Sequence, residues 1–251
     1  MAKITWSVEG PVRSVLLDRP EKRNALDAEM IAELRAAFTK PPGMEERVAV
    51  IRASGPVFCA GLDMKERAAR PAGASPIEAM LHAIEMFPLP VVAVVQGDAI
   101  AGGNELALHC DLVVASSSAR FGMSLAQIGL APSWFLAKKL LEVAGPVTTR
   151  RVLLLGDPLP ATKLHALGLI ARCVPADQLE AEASKVIDRL AANAPLSLKA
   201  MKALTVRQLE FRDGIPHDDV DALVRLALSS EDAREGMLAR LERRTARFQG
   251  R

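Results

Sequence analysis

The chain has 251 residues, enough for one large domain or one domain with a smaller appendage. Half of the residues are hydrophobic and a quarter are charged, the balance of a globular protein in water. A net charge of +2 argues against a dedicated nucleic-acid binder and leaves room for an anionic small molecule.

Cys59, Cys110 and Cys173 lie far apart, and His82, His109, His165 and His217 form no HxxxH or HExxH pair, so neither a disulfide framework nor a metal is expected. The opening "MAKITWSVEGPV" is polar and strand-like rather than a signal peptide. No apolar run reaches the length of a membrane span, and the expected location is cytoplasmic.

Strand and helix patterns alternate through the first 176 residues. "ITWSVEG" and "VRSVLLD" predict a hairpin turning at Gly10-Pro11. Asp27 is placed to cap an amphipathic helix with Met30, Ile31, Leu34 and Phe38 on one face. "VAVIRA" (48–53), "VVAVVQG" (91–97) and "DLVVAS" (111–116) are near-continuous apolar runs, suited to strands buried on both faces of an α/β sheet. From 177 to 251 the pattern becomes helical: two helices broken at Pro195, then two more with a cap at Ser230-Glu231. Their apolar faces require a partner, either the core or a second copy of the chain. The one basic run, "ARLERRTARF" (239–248), reads as a helix face.

Two junctions carry chemistry. "AIAGGNELAL" (99–108) follows a strand and starts a helix at adjacent glycines. Helix starts expose unpaired N–H groups, and glycine admits a ligand close to the backbone or, equally, a neighbouring chain segment. "GPVFCAGLDMKE" (55–66) is a second strand–glycine–helix junction, turning at Ala60-Gly61 with a helix expected from Leu62-Asp63; Asp63 also suits the first turn as an acid favoured by the dipole. Two backbone donors aimed at one oxygen form an oxyanion hole.

At this point the chain resembles the crotonase superfamily, the enoyl-CoA hydratase/isomerase family. The resemblance rests on "RPEKRNALDAEM" (19–30), "FCAGLDMKE" (58–66), "VQGDAIAGGNELALHCDLVVAS" (95–116), "FGMSLAQIGLAPSW" (121–134) and "SEDAREGMLARLERR" (230–244), and runs essentially end to end. It implies an α/β fold: a spiral of ββα units over 1–176 holding an acyl-CoA site, then a helical trimerisation region over 177–251, assembled as a trimer or a dimer of trimers.

By position, the resemblance implies an oxyanion hole from the N–H groups of Leu62 and Gly102 for an acyl-CoA thioester enolate, worth about 3–4 kcal/mol per donor. Lys22 and Ala25 would lie near the nucleotide of coenzyme A. Ala60, Asp63, Met64 and Lys65 would flank its pantetheine and adenine, with Ile100 and Gly103 also lining the substrate. Coenzyme A enters as part of the substrate, so no separate cofactor is expected, nor is a nucleic-acid or membrane partner. Glu105 matches one of the two glutamates of hydratases, and in apolar surroundings its pKa should rise, suiting an acid/base.

The chain departs from that pattern at Leu125, where hydratases carry the second glutamate. A leucine dries the pocket and positions no water. No carboxylate is close by in that segment, where Gln127 is the nearest polar side chain after Ser124; Asp98, before the glycines, reads as a turn residue and is a second carboxylate in the neighbourhood. One base with two N–H donors suits proton shuttling, as in enoyl-CoA isomerisation, and "IGLAPSWF" (128–135) resembles a loop of Δ3,Δ2-enoyl-CoA isomerases. The alternative is an acyl-CoA-binding homologue with little or no catalysis. His109 and Cys110 read as structural, and residues 64–87 are expected to line the acyl pocket through a mobile Pro/Ala/Gly-rich loop.

Overall fold

The structure, a computed structural model, describes residues 2–68 and 77–251. Ile4–Glu9 (β1) and Val12–Leu17 (β2) form the expected antiparallel hairpin. Asp27 caps Ala28–Thr39 (α1) by accepting from the Met30 N–H at 3.0 Å. Met30, Ile31, Leu34, Ala37 and Phe38 are its buried residues, which is the predicted face. Val48–Ala53 (β3) follows, then Met64–Ala68 (α2) and Glu78–Glu85 (α3). Next come Val91–Val95 (β4), Ala99–Ile100 (β5), Gly102–Leu108 (α4), Leu112–Ser116 (β6) and Arg120–Gly122 (β7). Trp134–Arg150 (α5), broken at Gly145-Pro146, leads to Leu159–Pro160 (β8), Ala161–Ala166 (α6) and Arg172–Val174 (β9).

Among the described residues the main sheet has the order β1-β2-β3-β4-β6-β9, parallel from β2 onward. The apolar strands are buried on both faces as predicted. Ala49, Ile51, Val91 and Ala93 pack with α1 and α3, while Val48, Val50, Val92 and Val94 pack under the first helix of the C-terminal region. A second sheet, β5-β7-β8, was not predicted. Its strands of two or three residues are too short to show a period.

The C-terminal region holds Leu179–Ala192 (α7), Pro195–Leu209 (α8), Asp218–Ser229 (α9) and Glu231–Glu242 (α10), with Pro195 opening α8 and Ser230 capping α10, as the sequence indicates. Within one chain α8 and α9 leave Leu196, Met201, Leu204, Leu223 and Leu226 exposed. Helix α10 seats on the turn that follows β7: a Cβ on Gly236 would stand 2.4 Å from the Ile128 backbone. The basic run at 239–248 is partly consumed internally, since Arg244 pairs with both Glu235 and Glu242 at 2.6 Å.

Candidate active site

The two glycine junctions meet. Gly61 has φ +91, and a Cβ there would lie 2.9 Å from the Ile100 carbonyl oxygen and 3.1 Å from the Gly102 nitrogen. Leu62 does not begin a helix; α2 starts at Met64. Instead Leu62 forms a parallel bridge with Leu26, in which Leu26 N–H donates to Gly61 O at 2.8 Å and Asp63 N–H donates to Leu26 O at 2.9 Å. In a parallel bridge those two bonds use the groups on either side of Leu62 and leave its own N–H turned away. Gly102 is the first residue of α4, so its N–H has no intrahelical acceptor. Among the described residues neither N–H has a hydrogen-bond partner. Between them Ala101 adopts φ 49, ψ −116, a conformation costly for a residue with a Cβ; its N–H, bonded to Gly122 O at 2.7 Å, ties this corner to β7.

The adjacent glycines have different surroundings. Gly103 is buried, and a Cβ on it would overlap the Cys59 carbonyl oxygen at 2.1 Å, so it serves close packing. Gly102 has more open surroundings, its Cβ direction leading past the tip of Ile77 toward Leu62 N at 3.5 Å.

Glu105 follows one turn after Gly102 and is fully buried. Neither carboxylate oxygen has a hydrogen-bond partner among the described residues. Burial pushes its pKa up to about 8, against weaker downward pulls from the Asn104 amide and Lys139. The Asn104 amide nitrogen is itself buried and not aligned for a full hydrogen bond. His109, one turn further on, donates from Nδ1 to the Glu105 carbonyl at 2.8 Å, so Nε2 is the bare nitrogen. Its ring stacks on Phe135 at 5.2 Å, and burial first, then Lys139, pushes its pKa down to about 3. His109 is therefore neutral and holds its place by a backbone bond. Cys110, bonded to Leu106 O at 3.3 Å, is likewise structural.

The "RPEKRNAL" segment lies against the 54–63 loop. Arg23 and Asn24 both have positive φ, and Ala60 N–H donates to Arg23 O at 3.0 Å. The buried Asn24 amide donates to Ser54 O and Val57 O, each at 2.8 Å, and its oxygen accepts from Arg19 N–H at 2.8 Å. This clamp brings Lys22, Ala25, Ala60 and Leu62 together, with Lys22 and Lys65 exposed. Asn24 was not singled out from the sequence, although an asparagine between a charged run and a helix cap is a residue type that tolerates left-handed backbone. Asn24→Ala is expected to cost about 2–4 kcal/mol, because three backbone groups lose their partner. Urea denaturation measures it, and a loss below about 1 kcal/mol would mean the loop is held by other contacts.

Asp63 is engaged: one oxygen pairs with Arg19 Nη1 at 3.0 Å, the other accepts from Lys65 N–H at 3.0 Å. Met64 opens α2, half-buried. Asp98 is paired with Arg120 through both oxygens, and Gln127 donates to Leu155 O at 3.0 Å and to Asp157. Both side chains are thus engaged within the chain. Leu125 is half-buried and packed on the core. Residues 69–76, the centre of the expected pocket loop, lie outside the described residues. Among the described residues no His/Cys/Asp/Glu group is arranged to hold a metal, and no helix is long and apolar enough to cross a membrane.

The α/β core thus brings together two glycine junctions whose N–H groups are unpartnered among the described residues, with a buried carboxyl one turn into α4. The chain matches the enoyl-CoA hydratase/isomerase family over residues 8–251, and it belongs to that family. It is 33% identical to carnitinyl-CoA dehydratase of Proteus mirabilis, over 98% of this chain and 97% of the relative. It is 30% identical to 2,3-dehydroadipyl-CoA hydratase of Escherichia coli, over 100% of both. An enoyl-CoA hydratase structure from Mycobacterium avium subsp. paratuberculosis superposes with a TM-score of 0.86 at 32% identity, covering 99% of each chain. A methylmalonyl-CoA decarboxylase structure superposes with a TM-score of 0.90 at 25% identity, covering 99% of this chain and 98% of the other. Relatives named for hydration, dehydration and decarboxylation share the scaffold, so the reaction has to be argued from the side chains.

Proposed function

We propose that the chain stabilises an acyl-CoA thioester enolate between the N–H groups of Leu62 and Gly102, with Glu105 as its acid/base. The observation that carries this is the fully buried Glu105 carboxyl, without a hydrogen-bond partner among the described residues, one helical turn from the free Gly102 N–H. A carboxyl with no hydrogen-bond partner among the described residues, His109 Nδ1 standing 3.8 Å from one oxygen, is available to a substrate, and burial brings its proton affinity close to neutral pH, where transfer in either direction is efficient.

With Leu125 in place of a second carboxylate, the reading is a one-base proton shuttle on an enoyl-CoA. The Glu105 carboxylate takes a proton from C2 of a 3-enoyl thioester. The C–H electron pair moves toward the thioester carbonyl, whose oxygen becomes the dienolate anion held by Leu62 and Gly102. Glu105 then returns the proton to C4, and the double bond moves from C3=C4 to C2=C3. Lys22, Ala25, Ala60, Met64 and Lys65 would receive the coenzyme A portion, with Ile100 alongside, while Asp63 supports the loop through Arg19. No cofactor beyond the substrate's own coenzyme A is invoked. A second reading, an acyl-CoA-binding protein with little catalysis, draws on Leu125.

Incubation with crotonyl-CoA and with a 3-enoyl-CoA in deuterated water separates these readings. The expected result is conversion of the 3-enoyl to the 2-enoyl ester with deuterium exchange and no hydration. Hydration of crotonyl-CoA would overturn the one-base reading. Binding without exchange in either would favour the second reading.

The exposed leucines of α8 and α9 further suggest a homo-oligomer, a trimer or a dimer of trimers, since an apolar face of this kind is normally covered. Sedimentation velocity should show no monomer at micromolar concentration; a monomer would reject it. Three separated free cysteines, two of them buried, suit a reducing cytoplasmic location.

A further inference from the structure

Behind the candidate site lies a buried charge cluster that the proposed reaction does not use. Lys139 on α5 bonds Glu85 on α3 and pairs with Glu142 at 3.4 Å. The side chains of Lys139, Glu85 and Glu142 are only 10%, 12% and 3% exposed. Taking such a group of charges out of water is expensive, and hydrophobic residues of similar size would do as well for packing alone. Its location gives it a use. Glu105 on α4 and His109 at its C-cap are four residues apart, as are Phe135 and Lys139 on α5. The His109–Phe135 stack sets these two faces against each other. Lys139, one turn beyond Phe135 on the helix that packs against α4, is within electrostatic reach of Glu105.

We infer that Lys139, clamped between Glu85 and Glu142, is a positioning residue whose fixed positive charge keeps the ionised form of Glu105 accessible during turnover. The inference rests on the reading of Glu105 as the acid/base. One Glu105 oxygen lies 3.8 Å from His109 Nδ1, and Lys139 reaches the carboxyl from α5. Lys138 and Glu142 share α5, Glu85 and His82 meet that helix from α3, and Cys59, packed on Gly103, is held as the thiol by burial. Strands β5 and β6, also packed on α4, carry no titratable side chain. Of these groups His109 is held neutral by burial, Lys138 is drawn off by Asp213 at 2.6 Å, and Lys139 acts on Glu105 itself. The Glu85 and Glu142 carboxylates keep Lys139 charged despite its burial.

The test follows the Glu105 carboxyl by carbon-13 NMR in the full-length protein labelled at glutamate. Glu105→Gln identifies the resonance, and the pH profile of turnover is recorded in parallel. Removing a nearby cation disfavours the carboxylate, so Lys139→Met should move the titration midpoint up by about one pH unit. Lys139→Arg, which keeps the charge, should leave it in place. Lys139→Gln, neutral but polar, should move it up as the methionine does. A packing role would not separate the charged replacement from the two neutral ones. An unmoved midpoint in Lys139→Met overturns the inference, and so does an unmoved midpoint in Lys139→Gln if the methionine variant does not fold. If the carboxyl titration shifts while the rate profile stays fixed, the coupling stands and Glu105 is removed from the reaction, which overturns the proposed function and the positioning role with it.

Discussion

Glu105→Gln should lower kcat by about 10³-fold while acyl-CoA affinity stays within about threefold. The amide keeps the size of the buried side chain and removes its ability to exchange a proton. The same variant should be more stable than the wild type in alkali. In the unfolded chain the carboxyl has its ordinary pKa of 4.5, whereas in the folded protein burial raises it to about 8. A raised folded-state value means that the carboxyl favours folding fully below 4.5, and this contribution is lost as the pH rises through 8. Above that range the wild type bears the whole cost of a buried carboxylate, which glutamine never bears. Urea denaturation at about pH 5 and about pH 9 should show the Glu105→Gln advantage growing by a few kcal/mol. Loss of activity with gain of alkaline stability is the signature of a group held ready for chemistry against the preference of the fold. Full activity in Glu105→Gln would sink the assignment. A stability difference independent of pH would show that the carboxyl is not closed from water.

How far the sequence disclosed this arrangement depended on the range of the interactions involved. The hairpin, α1 and the apolar strands were legible because periodicity and a cap residue are local. So were the helix breaks at Pro195 and Ser230. The small β5-β7-β8 sheet was not, because its order comes from contacts between distant short segments. The "SEDAREGM" motif carries a family resemblance, yet its physical reason, Gly236 seated against the Ile128 backbone, is a tertiary contact with no local sign. At the site, the approach of Gly61 to Gly102 could be suspected from two glycine junctions. The helix start expected at Leu62 is replaced by a bridge to Leu26, 36 positions earlier, a pairing with no local sign. The buried Glu85–Lys139–Glu142 cluster was invisible for the same reason, as charged residues at helical spacing ordinarily face solvent.

The adjacent glycines should separate fold from chemistry. In Gly103→Ala the new methyl would stand 2.1 Å from the Cys59 carbonyl oxygen and 2.8 Å from its carbon. That backbone cannot yield easily, since Cys59 O accepts from Ile100 N–H at 2.9 Å and Cys59 N–H donates to Asp98 O at 3.2 Å. Relieving the overlap breaks the bridge that aligns the two junctions, so a loss of about 3–5 kcal/mol or failure to accumulate as soluble protein is expected. Gly102→Ala meets a softer neighbour. Its nearest atom is the tip of Ile77 at 2.9 Å, the end of a side chain able to rotate, and its backbone does not lie in the left-handed region. Folding stability should stay within about 1 kcal/mol of wild type, helped by the better helix propensity of alanine. The methyl would nevertheless stand 3.5 Å from the Leu62 nitrogen, in the space an enolate oxygen would occupy. Turnover should therefore fall by about 10²–10³-fold in a protein that still melts near the wild-type temperature. Thermal melts and acyl-CoA kinetics on the two variants decide the matter. An active, stable Gly102→Ala would place the anion site elsewhere, and a stable Gly103→Ala would mean that the Cys59 loop has more freedom than its two backbone bonds allow.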